Sequence, residues 1–227
     1  VSANSKDASK VYPADKGWVV GAKYNSPFKT KLPGSFNQLS ARYGAGIANG
    51  GDNGNTFTWA TYGAPDEDGK YNNAYSFTMV EHFLLNLSQK FSINGYGVYT
   101  KSKGGSASTN TDEYFNGNQL YNQKTDFVVG FRGFYYVTKW LHLIEEVHYA
   151  VRKDGDNPDA NMWKFSFAPT IVPLGKKDPW SRPHIRLVYT LAHYNDYARD
   201  HNYSPYLQVN QKSWGSYVGV KTEWWLF

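Results

Sequence analysis

Hydrophobic and polar residues alternate with period two along much of this chain. Between 124 and 138, Phe127, Val129, Phe131, Tyr135 and Val137 form one series, and Asp126, Val128, Gly130, Arg132, Phe134 and Tyr136 form the other. The pattern of one uniformly apolar face and one mixed face is that of a β-strand. Segment 140–152 repeats it, with Leu141, Leu143, Val147, Tyr149 and Val151 against His142, Ile144, Glu146, His148 and Arg152. Segment 181–195 sets Ile185, Leu187, Tyr189 and Leu191 against His184, Arg186, Val188, Thr190 and Tyr194, and 213–227 sets Val218, Val220, Thr222, Trp224 and Leu226 against Gly219, Lys221, Glu223 and Trp225. Two architectures accept such strands: a sandwich with its apolar faces packed inside, or a barrel whose apolar side meets lipid while its polar side lines a water-filled interior. Charges in mid-strand and aromatic rings near strand ends favour the barrel.

The alternation predicts about nine strands, near 17–26, 36–46, 74–87, 90–102, 124–138, 140–153, 160–172, 181–195 and 213–227, with 1–16 as a loop or frayed segment. Connections such as Ser88-Gln89 and Thr138-Lys139 are short, whereas 47–56, 102–123 and 196–212 are long and rich in Gly, Asn, Asp and Ser. Outer-membrane barrels show this rhythm of short periplasmic turns and longer external loops. Glu145 and Glu81 fit poorly, because each falls on an otherwise apolar face; a position near an interface, a bulge or a subunit contact would each accommodate a carboxylate there.

Composition sharpens the choice. Aromatics make up 18% of the 227 residues, with 19 Tyr, yet mean hydropathy is −0.62, so rings spaced through polar sequence supply the apolar surface. No apolar run approaches the ~18–20 residues of a transmembrane helix, leaving a closed barrel as the spanning structure the chain could form. The absence of Cys excludes disulfides and thiolate metal sites. The net charge of +5 is spread among Asp and Glu without a basic block, which argues against a nucleic-acid partner. Val1-Ser2-Ala3-Asn4 lacks both an initiator Met and the pattern of a signal peptide, so the chain is expected to be processed or incomplete.

No enzymatic constellation emerges. His142 and His148 lie six residues apart, about 20 Å along a strand, and do not share a metal. Glu81-His82 and Glu145-Glu146 place their side chains on opposite faces. Lys103-Gly104-Gly105-Ser106 lacks the strand and helix context of a phosphate loop. The expectation is a protein that is not an enzyme, with no cofactor and no metal.

Trp180-Ser181-Arg182-Pro183-His184-Ile185-Arg186 resembles the Trp-Ser-Arg-Pro-x-Ile-Arg strand of maltoporin-type sugar porins, and Ala192-His193-Tyr194-Asn195 follows where that family has Ala-Lys-Trp-Asp. Gly17-Trp18-Val19-Val20, Phe36-Asn37-Gln38, Glu81-His82, Gly130-Phe131-Arg132, Trp163-Lys164 and Gly219-Val220-Lys221-Thr222-Glu223-Trp224-Trp225 resemble further family segments in the same order, from Gly17 to Phe227.

The resemblance implies an antiparallel transmembrane β-barrel: a trimeric channel of the bacterial outer membrane through which oligosaccharides diffuse passively along a line of aromatic rings. It covers the C-terminal half of the family barrel, so residues 1–227 are expected to be half of a carbohydrate porin with about nine of some 18 strands. Trp180 and Trp225 match two rings of that line, and alternation puts both on the polar face. Val20 stands where the family has a slide phenylalanine, unless Trp18, in the same phase, replaces it. Phe227, two residues beyond Trp225, leaves open which residue ends the family's assembly signal. Arg42, Arg132, Arg186, Glu146, Lys164 and Glu223 are the candidate polar contacts to sugar hydroxyls. The expected partners are an oligosaccharide, outer-membrane lipid and two further copies in the intact protein. A glycan-binding β-sandwich, soluble or attached to a surface, is the alternative, and a general porin without sugar preference a third reading.

Overall fold

The computed structural model describes residues 13–28, 32–50, 61–115, 118–201, 209 and 211–224. Nine long strands form one antiparallel sheet in the order β1-β2-β3-β4-β7-β8-β9-β10-β11. They are β1 (Gly17–Pro27), β2 (Phe36–Gly46), β3 (Tyr75–Ser88), β4 (Phe91–Lys103), β7 (Gln123–Tyr136), β8 (Leu141–Asp154), β9 (Ala160–Ile171), β10 (His184–Tyr194) and β11 (Trp214–Glu223). A separate hairpin, β5 (Asn110–Phe115) and β6 (Asn118–Tyr121), lies between β4 and β7, and helix α1 (Asp196–His201) follows β10. The nine expected strands are all present within a few residues. The hairpin and the helix occupy stretches read as loops, where no sustained period marked them. Strand β11 ends at Glu223, and Trp225, Leu226 and Phe227 lie outside the described residues.

Each strand of the sheet pairs with the one before it, so the sheet is a meander. In-register pairing carries the alternation from strand to strand: Gly21, Arg42, Thr78, Thr100, Asp126 and Arg152 form one cross-strand row, and Ala22, Ala41, Met79, Tyr99, Phe127 and Val151 form a row on the opposite face. Among the described strand residues, the buried non-glycine side chains share the first face, including Ser76, Ser92, Asn94, Lys124, Phe134, His142, Thr170 and His184. A single layer buries one face only by curving around it, which makes this the concave, inner face. The outer face leaves Phe127, Phe131, Phe165, Leu187 and Val220 exposed. Among the described residues no second sheet covers it, which overturns the β-sandwich reading, since a sandwich buries that face.

Hydroxyl pairs stitch the inner face across strands: Ser76 with Ser102 at 2.9 Å, Thr78 with Thr100 at 3.2 Å and Ser166 with Thr190 at 2.9 Å. Glu81 and Glu145 both face outward, and pairing runs unbroken through them, which removes the bulge as their explanation. Glu81 accepts a hydrogen bond from the Asn37 side chain.

The two ends of the sheet are built differently. At the short-turn end, Phe134, Tyr136, Ile144 and Ala168 form an apolar inner cluster with Val188 packed against it. The Tyr136 hydroxyl donates to Ser92 Oγ at 3.0 Å, and the Ser92 hydroxyl donates to Asn86 Oδ1 at 2.8 Å. At the long-loop end, asparagines tie the connections down. Asn49 exchanges hydrogen bonds with the backbone of Tyr62, and Asn122 accepts from Ala64 N–H while donating to the carbonyls of Ser106 and Ser108.

Because the chain has no Cys, single substitutions report facing directly. In the membrane-embedded protein, Arg132→Cys and Arg186→Cys are expected to react with a water-soluble maleimide, while Phe131→Cys and Leu187→Cys are protected. Labelling of 131 and 187 with protection of 132 and 186 would reverse the two faces.

Candidate functional site

The inner face gathers most of the in-strand charge of the sheet. Its cations are Lys23, Arg42, Lys124, Arg132, Arg152, Lys164, Arg186 and Lys221, and its carboxylates are Asp126, Glu146, Asp154 and Glu223. Cations outnumber carboxylates, and three of the four carboxylates are shared between cations. In mid-sheet, Arg132 Nε donates to Glu146 Oε2 at 2.8 Å, and Lys164 Nζ lies 3.3 Å from Glu146 Oε1. Towards the long-loop end, Arg152 Nε donates to Asp126 Oδ1 at 2.7 Å, with Lys124 Nζ 3.6 Å from Oδ2. At the short-turn end, Arg182 Nε donates to Glu223 Oε2 at 2.7 Å and Lys221 Nζ lies 2.8 Å from Oε1.

Adjacent-strand pairing explains two of these contacts. Arg132 stands opposite Glu146, and Asp126 opposite Arg152. Opposite charges facing each other on neighbouring strands lie within side-chain reach without distortion of the backbone. The Nε of Arg186 is buried with no hydrogen-bond partner among the described residues. Arg186 faces Thr170 on β9 and Lys221 on β11, so it adds a cation where a second one already stands.

Aromatic and imidazole groups are set among these charges. The Tyr96 hydroxyl is 2.6 Å from His148 Nδ1 in the centre of the inner face. Trp180 belongs to the connection between β9 and β10 rather than to a strand. Its backbone N–H donates to Asp178 Oδ1 at 2.9 Å, and its ring stands edge-on to His82 of β3, with centroids 6.4 Å apart. His82 shares the inner face with Gln38 and Tyr96. The connection from β10 therefore reaches the inner face of β3 from the short-turn end and leaves Trp180 46% exposed.

The structure thus places Trp180, Arg42, Arg132, Arg186, Glu146, Lys164 and Glu223 on one face. It brings Arg132, Glu146 and Lys164 into contact, leaves Glu223 in its own cluster, and leaves Trp225 outside the described residues.

Trp18 requires a correction. It pairs with Ala45, its ring centroid lies 5.5 Å from that of Tyr43, and Tyr43 shares the outer face with Phe77. Trp18 and Val20 therefore point away from Arg42. The signal for the right phase was in the sequence: Lys23 and Asn25, not Trp18 or Tyr24, occupy the polar positions of β1. The outer ring series continues through Tyr43 and Tyr75, whose stacked centroids are 6.1 Å apart, so Trp18 joins a row of rings on the outer face.

Sequence reasoning missed Arg182 as the partner of Glu223, because it lies outside any strand and has no alternation to reveal its face. It also missed His82 beside Trp180, since their contact joins the β9–β10 connection to a strand far away in the sheet. Among the described residues no group of three His, Asp or Glu is arranged to hold a metal. Among the described residues no helix is long and apolar enough to cross a membrane. Beyond the strands, the Asp200 carboxyl at the end of α1 is held below its usual range by hydrogen bonds from Arg199.

The family model described as LamB porin matches residues 1–225. No curated protein matches the chain.

The Glu146 cluster makes a measurable claim. Glu146→Gln leaves Arg132 and Lys164 without their shared counter-charge and is expected to destabilise the folded protein by about 1–2 kcal/mol, the range of a charged hydrogen bond discounted for partial exposure. Urea unfolding of the protein in lipid vesicles measures it. A cycle with Arg132→Gln should give a coupling of about 1 kcal/mol, whereas additivity within about 0.3 kcal/mol would show the pair to be energetically idle.

Proposed function

The chain belongs to the LamB porin family, outer-membrane porins for sugars, and from that premise we propose that it guides oligosaccharides by passive diffusion along its inner face, with Trp180 as a sugar-stacking ring. The observation that carries this reading is the position of Trp180: a half-exposed indole on the inner face, edge-on to His82 and outside the hydrogen-bonded ladder. The flat face of an indole suits the C–H face of a pyranose ring, and charged groups around it exchange hydrogen bonds with hydroxyls. Arg132, Glu146, Lys164, Arg186, Glu223 and Arg42 are the proposed polar contacts, and Trp225 is proposed as a second ring on the strength of its sequence match. No step needs a nucleophile or a cofactor. Binding has to remain weak and repeated for sugar to leave.

The sheet has free edges at β1 and β11 among the described residues. Membrane-spanning sheets close on themselves, so the 227 residues are proposed to be the C-terminal half of a larger barrel completed by further strands. We further propose that three such barrels assemble. The supporting observation is the outward position of Glu81 and Glu145: a protein contact spares a carboxylate the cost of facing hydrocarbon. Around Glu145 the outer face forms a groove of about 730 Å³ lined by Phe131, Gly133, Tyr135 and Phe167, which suits the neighbouring copy.

In the full-length protein, Trp180→Ala is expected to weaken sugar-induced block of ion current by a few-fold to tenfold, from an aromatic contact of about 0.5–1.5 kcal/mol, while ion conductance changes little. Trp180→Phe should keep most of the block. Unchanged block in the Ala variant would remove Trp180 from the sugar path.

The 227 residues expressed alone are expected to give no sugar-blockable conductance in planar bilayers, and the full-length protein is expected to migrate unheated at three times its monomer mass. Blockable conductance from the isolated chain would refute the half-barrel, and monomeric migration would refute the trimer.

A further inference from the structure

The outer face is apolar along most of its length, but its basic residues collect at one place. Along β4 the outward positions end in Tyr99, Lys101 and Lys103, and along β8 they end in Tyr149, Val151 and Lys153. Strand β7 runs between them and presents Phe127, then Thr125. Lys101 and Lys153 both stand opposite Thr125, one from each side. Two interstrand steps put their backbones about 10 Å apart, and Lys103 follows about 7 Å further along β4.

None of the three ammonium groups forms an ion pair among the described residues. The remaining outward charges in the sheet, Glu81 and Glu145, are remote from them. Glu81 stands opposite Gly97, four residues before Lys101, and Glu145 lies eight residues before Lys153. Each lysine comes just after the last large ring of its strand, with only Val151 intervening on β8, and on the side of the long loops. That is the depth at which a lipid-facing surface passes from hydrocarbon to head groups, and a lysine there extends its stem along apolar surface while its charge reaches the polar layer.

We propose that Lys101, Lys103 and Lys153, with the Thr125 hydroxyl between them, dock the phosphate groups of a phosphorylated glycolipid in the outer leaflet. Among the described strand residues no carboxylate shares this part of the face, and the three lysines leave the backbone at points spread over about 10 Å across the strands and about 7 Å along β4, which suits a head group carrying more than one phosphate. The proposal rests on the outer-membrane reading, because the long-loop end is assigned to the outer leaflet on that basis. The same lysines on the inner face would merely add to the charge already there.

The test uses the full-length protein, purified free of lipid in a non-ionic detergent and titrated with diphosphoryl lipid A while complexes are counted by native mass spectrometry. The triple variant K101Q/K103Q/K153Q is expected to bind on the order of a hundredfold more weakly, since each lysine near an anionic surface contributes roughly fivefold. The corresponding Arg variant should bind as the wild type does. Lipid A stripped of phosphate should bind the wild type as weakly as the Gln variant binds the intact lipid.

Equal affinity of wild type and Gln variant, or of intact and dephosphorylated lipid, would overturn the proposal. Displacement of lipid A by millimolar inorganic phosphate would do so too, by identifying a site for free phosphate. If the triple variant does not assemble, the three single variants carry the test, each with an expected loss of about fivefold. Sugar block of current, measured on the same preparations, keeps the two readings apart: block without lysine-dependent lipid binding sinks only the docking site, whereas absence of block sinks the sugar channel.

Discussion

A sheet one layer thick satisfies its backbone hydrogen bonds within its own ladders, and this constraint governs the rest of the molecule. In hydrocarbon an unpaired N–H or C=O costs several kcal/mol, so the strands must run side by side without interruption. The nine-strand meander meets that demand through pairing of each strand with the next from β1 to β11, with one register shift between Asn86 and Ser88 beside the β3–β4 turn. Once the ladders are fixed, side chains have only two directions available, and each direction selects its own chemistry. Phe127 and Phe131 leave one face of β7, and Asp126 and Arg132 leave the other.

The inner face uses that separation to hold charge in water without wasting it. Glu146 is shared by Arg132 and Lys164, and Glu223 by Arg182 and Lys221. Sharing leaves Arg132 and Lys164, each about a third exposed, with donors that can reach water or the hydroxyls of a passing solute, whereas Arg182 spends its own on the carbonyls of Pro179 and Ser181. A strong one-to-one pair would close them, and an isolated charge would bind a counter-ion instead. The mid-sheet contacts lie within a solvated concavity, where ion pairs contribute modestly to stability and exchange partners readily. Such a surface suits a sugar better than a fixed anion, because hydroxyls both donate and accept.

The two ends of the sheet perform different work. At the short-turn end, the Phe134 and Ile144 cluster lines the concavity, and the connection carrying Trp180 crosses to His82 of β3. This narrows the inner face with an aromatic group on a segment free of ladder bonds, so the ring is placed without disturbing a strand. At the long-loop end, Asn49 and Asn122 replace ladder bonds with side-chain bonds to loop backbone. Asparagine serves here because one side chain both donates and accepts, which holds two connections together where no strand is available. On the outside of this end, aromatic rings give way to Lys101, Lys103 and Lys153, as expected where hydrocarbon gives way to head groups.

By itself the sequence determined the nine strands of the main sheet and the facing of most of their residues, because period-two alternation is a local property that survives without knowledge of neighbours. It placed Arg132, Glu146, Lys164, Arg186 and Glu223 on the polar face for that reason. It misplaced Trp18 because aromatic rings occur on both faces, and only the pairing of β1 with β2 shows Trp18 beside Tyr43 instead of Arg42. It missed the β5–β6 hairpin and α1, which lie in loops where polar residues hide any period. Partner choice was equally hidden, since which cation meets Glu146 depends on the register between β7, β8 and β9. The approach of Trp180 to His82 and the gathering of three lysines across β4 and β8 join residues remote in the chain, and only the curvature and pairing of the folded sheet could bring them together.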